Sequence, residues 1–514
     1  MYLETRVLKN QYHDSVVLML AAKELKKRAH IIDAAYMMGT EVNKTLLADG
    51  GLLSSEMGEA HANDLIIAIK SAVEIENILD LAEELLFTKT PSGSQKEHKP
   101  GTFRSVIRDH PEANMAVISV AGAYAAREAR EALAGGLNVL LFSDNVSLED
   151  EINLKKFALQ RGLLLMGPGA GTAIINGVGL GFANQVPRGG IGIISAAGTG
   201  LQEVSTLLAK QGLGISQAIG TGGRDLSQAV GGLMFFAAID ILQSDPETKM
   251  IVLISKPPDA ELVKKIIAKT RNNQKPVVLC LLGAQAPAEL PTHLHFTRTL
   301  EECALTTQAH NTGSDMDVAK QIELEDARLH QKYQSIIHPF QPEQKFIRAL
   351  YSGGTLCYEA QAIWQDSLSE DVYSNAPLKK KYQLSDPLIS QGHCALDLGE
   401  EEFTIGRPHP MIDNDLRLQR MACEAADPQT AIILFDVVLG YGAHPDPSAE
   451  LSEGIKKIQA EHPNIIWISS ITGTEADPQS LSKTADDLQK ANVIVCSSNA
   501  QAARLAAALI EQQR

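Results

Sequence analysis

From residue 115 onward the chain alternates between short, almost wholly apolar runs and longer amphipathic stretches. Residues 115–120, 138–142 and 163–166 read as strands, with helices at 125–134 and 148–160 between them. After residue 189 the rhythm continues as strand 191–195, helix 201–211, strand 215–219, helix 231–243, strand 250–254, helix 259–270 and strand 276–282. It returns past residue 345 with strand 346–350, helix 356–366, strand 394–398, helix 415–425 and strand 431–438. Helix 449–460, strand 464–469, helix 479–490, strand 492–496 and helix 499–511 complete it. A strand with no polar face must be covered on both sides, and intervening helices make successive strands parallel. The pattern predicts an α/β chain of several doubly wound, Rossmann- or flavodoxin-like parallel-sheet domains, with a coarse internal repeat.

The first hundred residues differ. Strand-like segments near 5–9, 31–38 and 65–69 alternate with helical stretches at 15–29, 54–59 and 75–86. That order predicts a small α+β domain resembling a ferredoxin-like unit. Residues 88–101 are rich in Pro, Gly, Ser and charge and read as a linker. Residues 311–344 are polar, carry a charged helix at 316–329, and read as a connector. The predicted domains are 1–100, a truncated CoA-binding-like Rossmann domain at 101–186, a flavodoxin-like domain at 187–310, the connector at 311–344, and a second flavodoxin-like domain at 345–514.

Charge narrows the partners. The net charge is −16, from 46 basic and 62 acidic residues. A phosphate backbone or an anionic membrane surface needs a basic face, so neither nucleic acid nor membrane is expected. A small anion is compatible, because a helix start acts locally. The six cysteines have no C-x-x-C spacing and suggest neither a zinc site nor a disulfide framework. Cys280 and Cys496 lie in strand-like runs as buried thiols; Cys357 and Cys394 lie nearer loops. The start, Met-Tyr-Leu-Glu-Thr-Arg, has no apolar signal region, and no run of 18 apolar residues occurs, so a cytoplasmic protein is expected.

The chemistry concentrates where strands give way to helices. Residues 191–203 run from an apolar strand through Ser195-Ala-Ala197-Gly198-Thr199-Gly200 into an amphipathic segment. Such a turn aims unpaired backbone N–H groups and a positive dipole end at a phosphate or carboxylate. Thr221, Gly222, Gly223 and Arg224 follow the next strand; the threonines offer hydroxyl donors and Arg224 an anion clamp. A comparable edge recurs at Gly440-Tyr441-Gly442-Ala443-His444, after the strand 431–438. His444 there reads as an acid/base or phosphate contact, with Asp436 able to orient it. In Gly406-Arg407-Pro408-His409-Pro410 two prolines stiffen the loop around His409, a second acid/base candidate. No metal-ligand constellation is evident.

These residues carry a resemblance. The turn at Ser195 to Thr199, Glu203, Gly220-Thr221-Gly222-Gly223 followed by Asp225, and Asp245-Pro246 before the strand 250–254 resemble the ligase domain of the succinyl-CoA synthetase α subunit. Met166-Gly167-Pro168 is similar to the turn closing that family's CoA-binding domain. Leu396-Asp397-Leu398-Gly399, Asp427-Pro428 and the run 435–442 resemble the ligase domain of the β subunit. The fused order, after an unrelated-looking first hundred residues, is similar to the FdrA group of acyl-CoA-synthetase-like proteins. The resemblance covers about 102–300 and 345–514. Departures accompany it. No G-x-x-G-x-x-G precedes Thr102. The second serine of the family's Ser-Arg-Ser-Gly-Thr is Ala197. The phosphohistidine loop is replaced by Gly283-Ala-Gln-Ala-Pro-Ala-Glu-Leu-Pro, with His293 and His295 beyond it. No ATP-grasp domain is recognisable.

The resemblance implies a subunit of an acyl- or carbamoyl-transferring enzyme, of the oxamate carbamoyltransferase type in allantoin breakdown, whose phosphorolysis gives carbamoyl phosphate. Its ligands would be phosphate or CoA and a small anionic substrate. Partner subunits, a homo-oligomer, or both are expected. Two alternatives stand beside it: an NDP-forming acyl-CoA ligase subunit, and a non-catalytic metabolite-binding scaffold.

Overall fold

The computed structural model describes residues 2–9, 11, 13, 15–61, 63–87, 102–333, 340–404 and 407–512. The predicted linker at 88–101 lies outside them, as does Gly406. The chain divides into two compact units, Met1–Lys99 with Glu401–Pro408, and Pro100–Glu400 with His409–Arg514.

In the first unit the order is β1 (Tyr2–Leu8), α1 (Ser15–Lys26), β2 (Ile31–Met38), α2 (Glu41–Asp49), a 3-10 turn at Ser55–Glu59, β3 (Leu65–Ser71) and α3 (Ile78–Phe87). β3 lies between β1 and β2, antiparallel to both. That is the split β-α-β of a ferredoxin-like unit, as the pattern predicts. α2 escapes the pattern because it is short; Thr40 starts it by accepting the Asn43 N–H at 3.3 Å.

The second unit holds three sheets, two parallel and one parallel except for an antiparallel hairpin at its edge. α4 (Phe103–Asp109), β4 (Met115–Ile118), α5 (Gly122–Ala134), β5 (Asn138–Leu141), α6 (Leu148–Gln160) and β6 (Leu165–Met166) form a small Rossmann-like layer in the order β4-β5-β6. β7 (Thr172–Ile175) and β8 (Val178–Gly181) form a hairpin closed by Asn176 and Gly177, both at positive φ. Although the sequence groups 172–181 with the Rossmann layer, the hairpin extends the next sheet. That sheet contains β9 (Arg188–Ser195), α7 (Gly198–Lys210), β10 (Ile215–Gly220), α8 (Leu233–Ser244), β11 (Met250–Ser255), α9 (Ala260–Thr270), β12 (Val277–Leu281), β13 (Leu294–Phe296) and α10 (Leu300–Thr312). α11 (Val318–Tyr333) is the charged connector helix. The last domain runs β14 (Phe346–Tyr351), α12 (Gly354–Ser367), β15 (Val372–Ser374), β16 (His393–Asp397), then, after α13 (Glu401–Thr404) of the first unit, α14 (Asp415–Ala426), β17 (Thr430–Val438), α15 (Pro447–Glu461), β18 (Ile466–Thr472), α16 (Leu481–Gln489), β19 (Val493–Cys496) and α17 (Asn499–Glu511).

The two larger sheets share the topology of their parallel strands β10-β9-β11-β12-β13 and β16-β14-β17-β18-β19; β7 and β8 extend the first as antiparallel strands, and β15 extends the second as a parallel one. Their orders are β13-β12-β11-β9-β10-β7-β8 and β15-β16-β14-β17-β18-β19. Matching β9 with β14, β10 with β16 and β11 with β17 brings every later strand into register, so the coarse repeat is a duplicated flavodoxin-like unit. α10 carries buried Glu301 and Thr307 beside Leu300, Cys303 and Ala304, which is why its helical period is not legible in the sequence.

α7 and α10 of one copy and α12 and α17 of the other form a shared layer, and one apolar core spans both domains. At its centre each copy caps a helix of the other. Glu203 on α7 accepts the N–H of Asn499, the first residue of α17, at 3.1 Å, and a hydroxyl bond from Thr472. Glu359 on α12 accepts the N–H of Leu300, the first residue of α10, at 2.6 Å and the Asn499 side-chain amide at 2.7 Å. Burial pushes the Glu359 carboxyl up to about 8. Glu203→Ala or Glu359→Ala orphans these donors, at about 1–3 kcal/mol each. We expect either variant to lower the midpoint of urea unfolding and to split the joint transition of the two flavodoxin-like domains.

Candidate functional site

α7 and α12 start without a side-chain cap. Ala197 and Gly353 precede them and make no side-chain cap bond, whereas Thr299, Ser498, Asp259 and Asp446 close the starts of α10, α17, α9 and α15. An uncapped start leaves amide N–H groups open to an anion. The two starts meet. A Cβ built on Gly353 would lie 2.8 Å from Thr199 Cγ2, and one on Gly200 2.8 Å from Thr355 Cγ2. The cross-capped layer described above fixes this approach.

Groups from the strand ends gather around it. Asp397 ends β16, and a Cβ on Gly354 would collide with its Oδ2 and lie 3.0 Å from Lys256 Nζ. Lys256 directly follows β11; its Nζ is 3.8 Å from Glu400 Oε1 and 5.4 Å from the centre of the Tyr358 ring. Asp397 is 3% exposed and accepts the Gly399 N–H on Oδ1 at 3.0 Å. Burial raises its carboxyl to about 7; Lys256 pulls down against this, while Glu400 and Asp436 push up. A Cβ on Gly399 would lie 2.7 Å from His409 Nε2. His409 accepts the Met411 N–H on Nδ1 at 3.2 Å, which assigns the ring proton to Nε2. Burial, with the Arg417 charge, lowers His409 to about 4, so it stands as a neutral N–H donor. Ser352, at the end of β14, donates its N–H and hydroxyl to Asp436 at 2.7 and 2.9 Å. The result is a basin with two helix starts, one ammonium, one neutral imidazole N–H and one carboxyl that titrates near neutrality. Such a set can bind an anion and shuttle a proton beside it.

The residues singled out in the sequence fall into three groups. Gly198, Thr199 and Gly200 form the α7 start at the basin. Ser195, Thr221, Gly222 and Arg224 build its frame. The Ser195 hydroxyl folds back onto Ala197, donating to its carbonyl at 2.6 Å and accepting its N–H at 3.0 Å. The Thr221 N–H and hydroxyl both reach Ser195 O, at 2.8 and 3.4 Å. Gly222, at φ +92, packs on the Pro168 carbonyl, 2.7 Å from where a Cβ would stand. Arg224 is engaged elsewhere, donating to Val146 O at 2.7 Å and pairing with Glu151 at 2.9 Å. Glu151 in turn binds Lys155, which bridges to Asp225, tying the Rossmann layer to the next sheet. Gly223 is exposed at a cavity mouth.

The third group is the 440–444 turn. Gly440 and Gly442 pack on Ala183 O and the Phe182 ring, not on the α7 start. The helix beyond them begins only at Pro447, and the Asp446 carboxylate accepts the Ala449 N–H of its first turn at 3.3 Å. His444 accepts the Asp446 N–H on Nδ1 at 3.1 Å, and its Nε2 lies 3.2 Å from Glu450. Asp436 orients Ser352 and Arg417 rather than His444. His444 and His409 are joined through Met411, whose carbonyl accepts the His444 N–H at 2.8 Å. Tyr441 is exposed, its hydroxyl 3.3 Å from Gln185. Cys357 and Cys394 are buried, and burial raises both thiols, Cys394 to about 11.

Sequence reasoning missed Asp397 as a site residue, Lys256, and the Ser352-Gly353-Gly354-Thr355 start. A signal was present: each is polar or glycine at the C-terminal end of a mostly apolar strand or directly after it. The motif Gly-Thr-x-x-x-Glu also occurs twice, at 198–203 and 354–359.

Residues 350–509 match the CoA-ligase family model, and residues 1–101 match that of the AllF heavy metal-associated domain. That span holds no cysteine, and among the described residues no group of three or more His, Cys, Asp or Glu could hold a metal ion. The YahF protein of Escherichia coli (strain K12) is 42% identical over 507 residues, 97% of this chain and 96% of its own. The α subunit of succinate–CoA ligase [ADP-forming] from Methanothermobacter thermautotrophicus is 27% identical over 41% of this chain and 72% of its own. Among solved structures, the dinucleotide-forming acetyl-coenzyme A synthetase 1 of Ca. Korarchaeum cryptofilum, in complex with phosphate and ADP, aligns over 82% of this chain and 86% of its own. Identity there is 15% and the TM-score 0.32. No helix among the described residues is long and apolar enough to cross a membrane.

The raised Asp397 carboxyl sets a stability slope. The folded protein keeps a proton that the unfolded chain has released, so stability falls as the pH rises from the ordinary carboxylate range to about 7 and is flat above. Asp397→Asn keeps an acceptor for the Gly399 N–H and removes the slope. We expect it to melt higher than the parent above neutral pH, in calorimetric scans across that range.

Proposed function

The chain belongs to the FdrA-type group of the succinyl-CoA synthetase (NDP-forming acyl-CoA synthetase) superfamily, and we propose that it is the transfer subunit of a multi-subunit enzyme moving an acyl or carbamoyl group between an amide nitrogen and phosphate. The observation that carries this reading is a carboxyl titrating at about 7, Asp397, set against an uncapped helix start beside Lys256.

For an N-carbamoyl derivative of oxamate the reaction balances as follows. A phosphate oxygen attacks the terminal carbamoyl carbon. The new C–O bond forms, the C–N bond to the amide nitrogen breaks, and the proton carried by phosphate ends on that nitrogen. The products are carbamoyl phosphate and oxamate. Lys256 and the amide N–H groups opening α7 and α12 hold the phosphate and the oxyanion that develops on the carbonyl. The His409 Nε2–H is a further donor. Asp397 takes the proton from the attacking phosphate and delivers it to the leaving nitrogen; a carboxyl near 7 does both without a large penalty at either step. No step of this scheme runs through CoA or a metal. The nucleotide-binding half of a ligase would come from a partner subunit.

A second reading, an NDP-forming acyl-CoA ligase subunit, draws on the CoA-ligase match and the succinate–CoA ligase relatives. It needs a phosphorylatable histidine at the helix starts, and His409 stands there.

Phosphate release from carbamoyl phosphate plus oxamate, followed with the full chain and its partner subunits, tests the first reading. We expect release, reduced at least about 100-fold by Asp397→Asn. Lys256→Met removes the charge that pulls Asp397 down, so residual activity should move to higher pH. Acid-labile labelling of His409 by ATP, with CoA consumed, would establish the ligase instead.

A further inference from the structure

Lys256 supplies the ammonium of the basin. Its backbone is stiffened by Pro257 and Pro258, which follow it directly, but its side chain is a flexible stem. A charge on such a stem has a fixed place only where something seats it. Glu400 holds it weakly, with its oxygen 3.8 Å away and its side chain 43% exposed. The ammonium also lies over the face of the Tyr358 ring, 5.4 Å from its centre. Tyr358 stands one helical turn after Gly354 on α12, so the two share a face. Gly354 keeps that face open, because a Cβ there would lie 3.0 Å from Lys256 Nζ and collide with Asp397 Oδ2. The missing side chain at 354 and the ring at 358 together form a seat. The ring packs, partly buried, on the shared apolar core. The next residue, Glu359, closes the first amide of α10. The seat is therefore fixed to one copy of the repeat, while the lysine on it comes from the other.

We propose that Tyr358 is a positioning residue, whose ring face seats the Lys256 ammonium beside Asp397 and over the α12 start. The seat stands on this geometry; its consequence for turnover rests on the transfer reading given above. A cation over an aromatic face is held by the ring quadrupole, which a phenol and a phenyl ring share. Burial pushes the Tyr358 phenol up, and Cys357, Glu400 and Asp397 add to the rise, so the ring is uncharged near neutral pH. Lys256, Glu400 and Asp436 act on Asp397, and Cys357 and Tyr358 face it from α12. Lys256 is the one cation among these five. Unseating it removes the charge that pulls the Asp397 carboxyl down, and the carboxyl rises.

Calorimetric scans of the full chain across pH, with Asp397→Asn as the baseline, read the pH at which the Asp397-dependent fall in stability ends. A carboxyl that rises further in the folded protein carries that end to higher pH. Tyr358→Leu keeps apolar bulk and removes the ring face; Tyr358→Met does the same should the leucine variant fail to fold. We expect either to move the end upward by at least about half a pH unit, about threefold in proton affinity. Tyr358→Phe should keep the parent's value. In a Lys256→Met background Tyr358→Leu should add nothing, because it acts through the ammonium. With partner subunits present, Tyr358→Leu should lower kcat/KM for phosphate release at least about fivefold and move its pH profile upward.

An unmoved end in Tyr358→Leu overturns the seat. So does a Tyr358→Phe that behaves like Tyr358→Leu, or a shift of equal size in the Lys256→Met background. Phosphate release together with an unmoved end overturns the seat and leaves the transfer reading. The expected shifts in a protein that releases no phosphate in any preparation overturn the transfer reading and leave the seat.

Discussion

The structure depends on a reciprocal bond. Glu203 belongs to one flavodoxin-like copy and closes the first amide of α17 in the other; Glu359 answers by closing the first amide of α10. Both carboxyl groups are buried: Glu203 is satisfied by an N–H and a hydroxyl from the opposite copy, and Glu359 by an N–H from the opposite copy and the Asn499 amide of its own. Moving either domain would orphan a charged or polar group in an apolar layer. The two helices that carry these glutamates, α7 and α12, are therefore held start to start, and neither start has a side-chain cap. The same residues that glue the copies together thus fix the geometry of the basin one turn away.

Duplication has not produced two equal sites. At the α12 start, Lys256 and Asp397 arrive from the ends of β11 and β16, one from each copy. At the other face of the α7 start, Gly198 is near Thr172, whose hydroxyl bonds the Phe182 carbonyl at 2.7 Å, and the Phe182 ring packs beside Gly442. The hairpin and its aromatic residue thus separate the α7 turn from the 440–444 turn. Phe182 also lies 6.1 Å, centre to centre, from His409. One half of the repeat has kept charged groups at its helix start, and the other has filled the equivalent space with an aromatic ring.

Much of this was legible before any coordinates. The parallel domains, their repeat and the split β-α-β unit follow from apolar runs and their spacing, because a strand buried on both faces cannot hide its composition. The strand–turn–helix at the start of α7 was legible from the same pattern. What was not legible depends on contacts far apart in sequence. Asp397 reads as one more residue after a strand until burial raises it and Gly354 presses against it. The 440–444 turn resembles the α7 turn in composition, yet the Asp446 carboxylate accepts an N–H of the helix start beyond it. Arg224 reads as a clamp, but Glu151, far upstream in the chain, holds it. The hairpin at 172–181 has a clear Asn-Gly turn, and its sheet is set by pairing with β10, a partner that local pattern does not name.

The basin draws its ammonium from one copy and its titrating carboxyl from the other. In separate chains that pairing would depend on how much of each was made and how tightly they associated. Joined through the α11 connector, the two halves meet at an effective concentration set by the tether rather than by expression. Covalent fusion converts an association equilibrium into a fixed one-to-one ratio, so every copy of the chain carries its own complete pair.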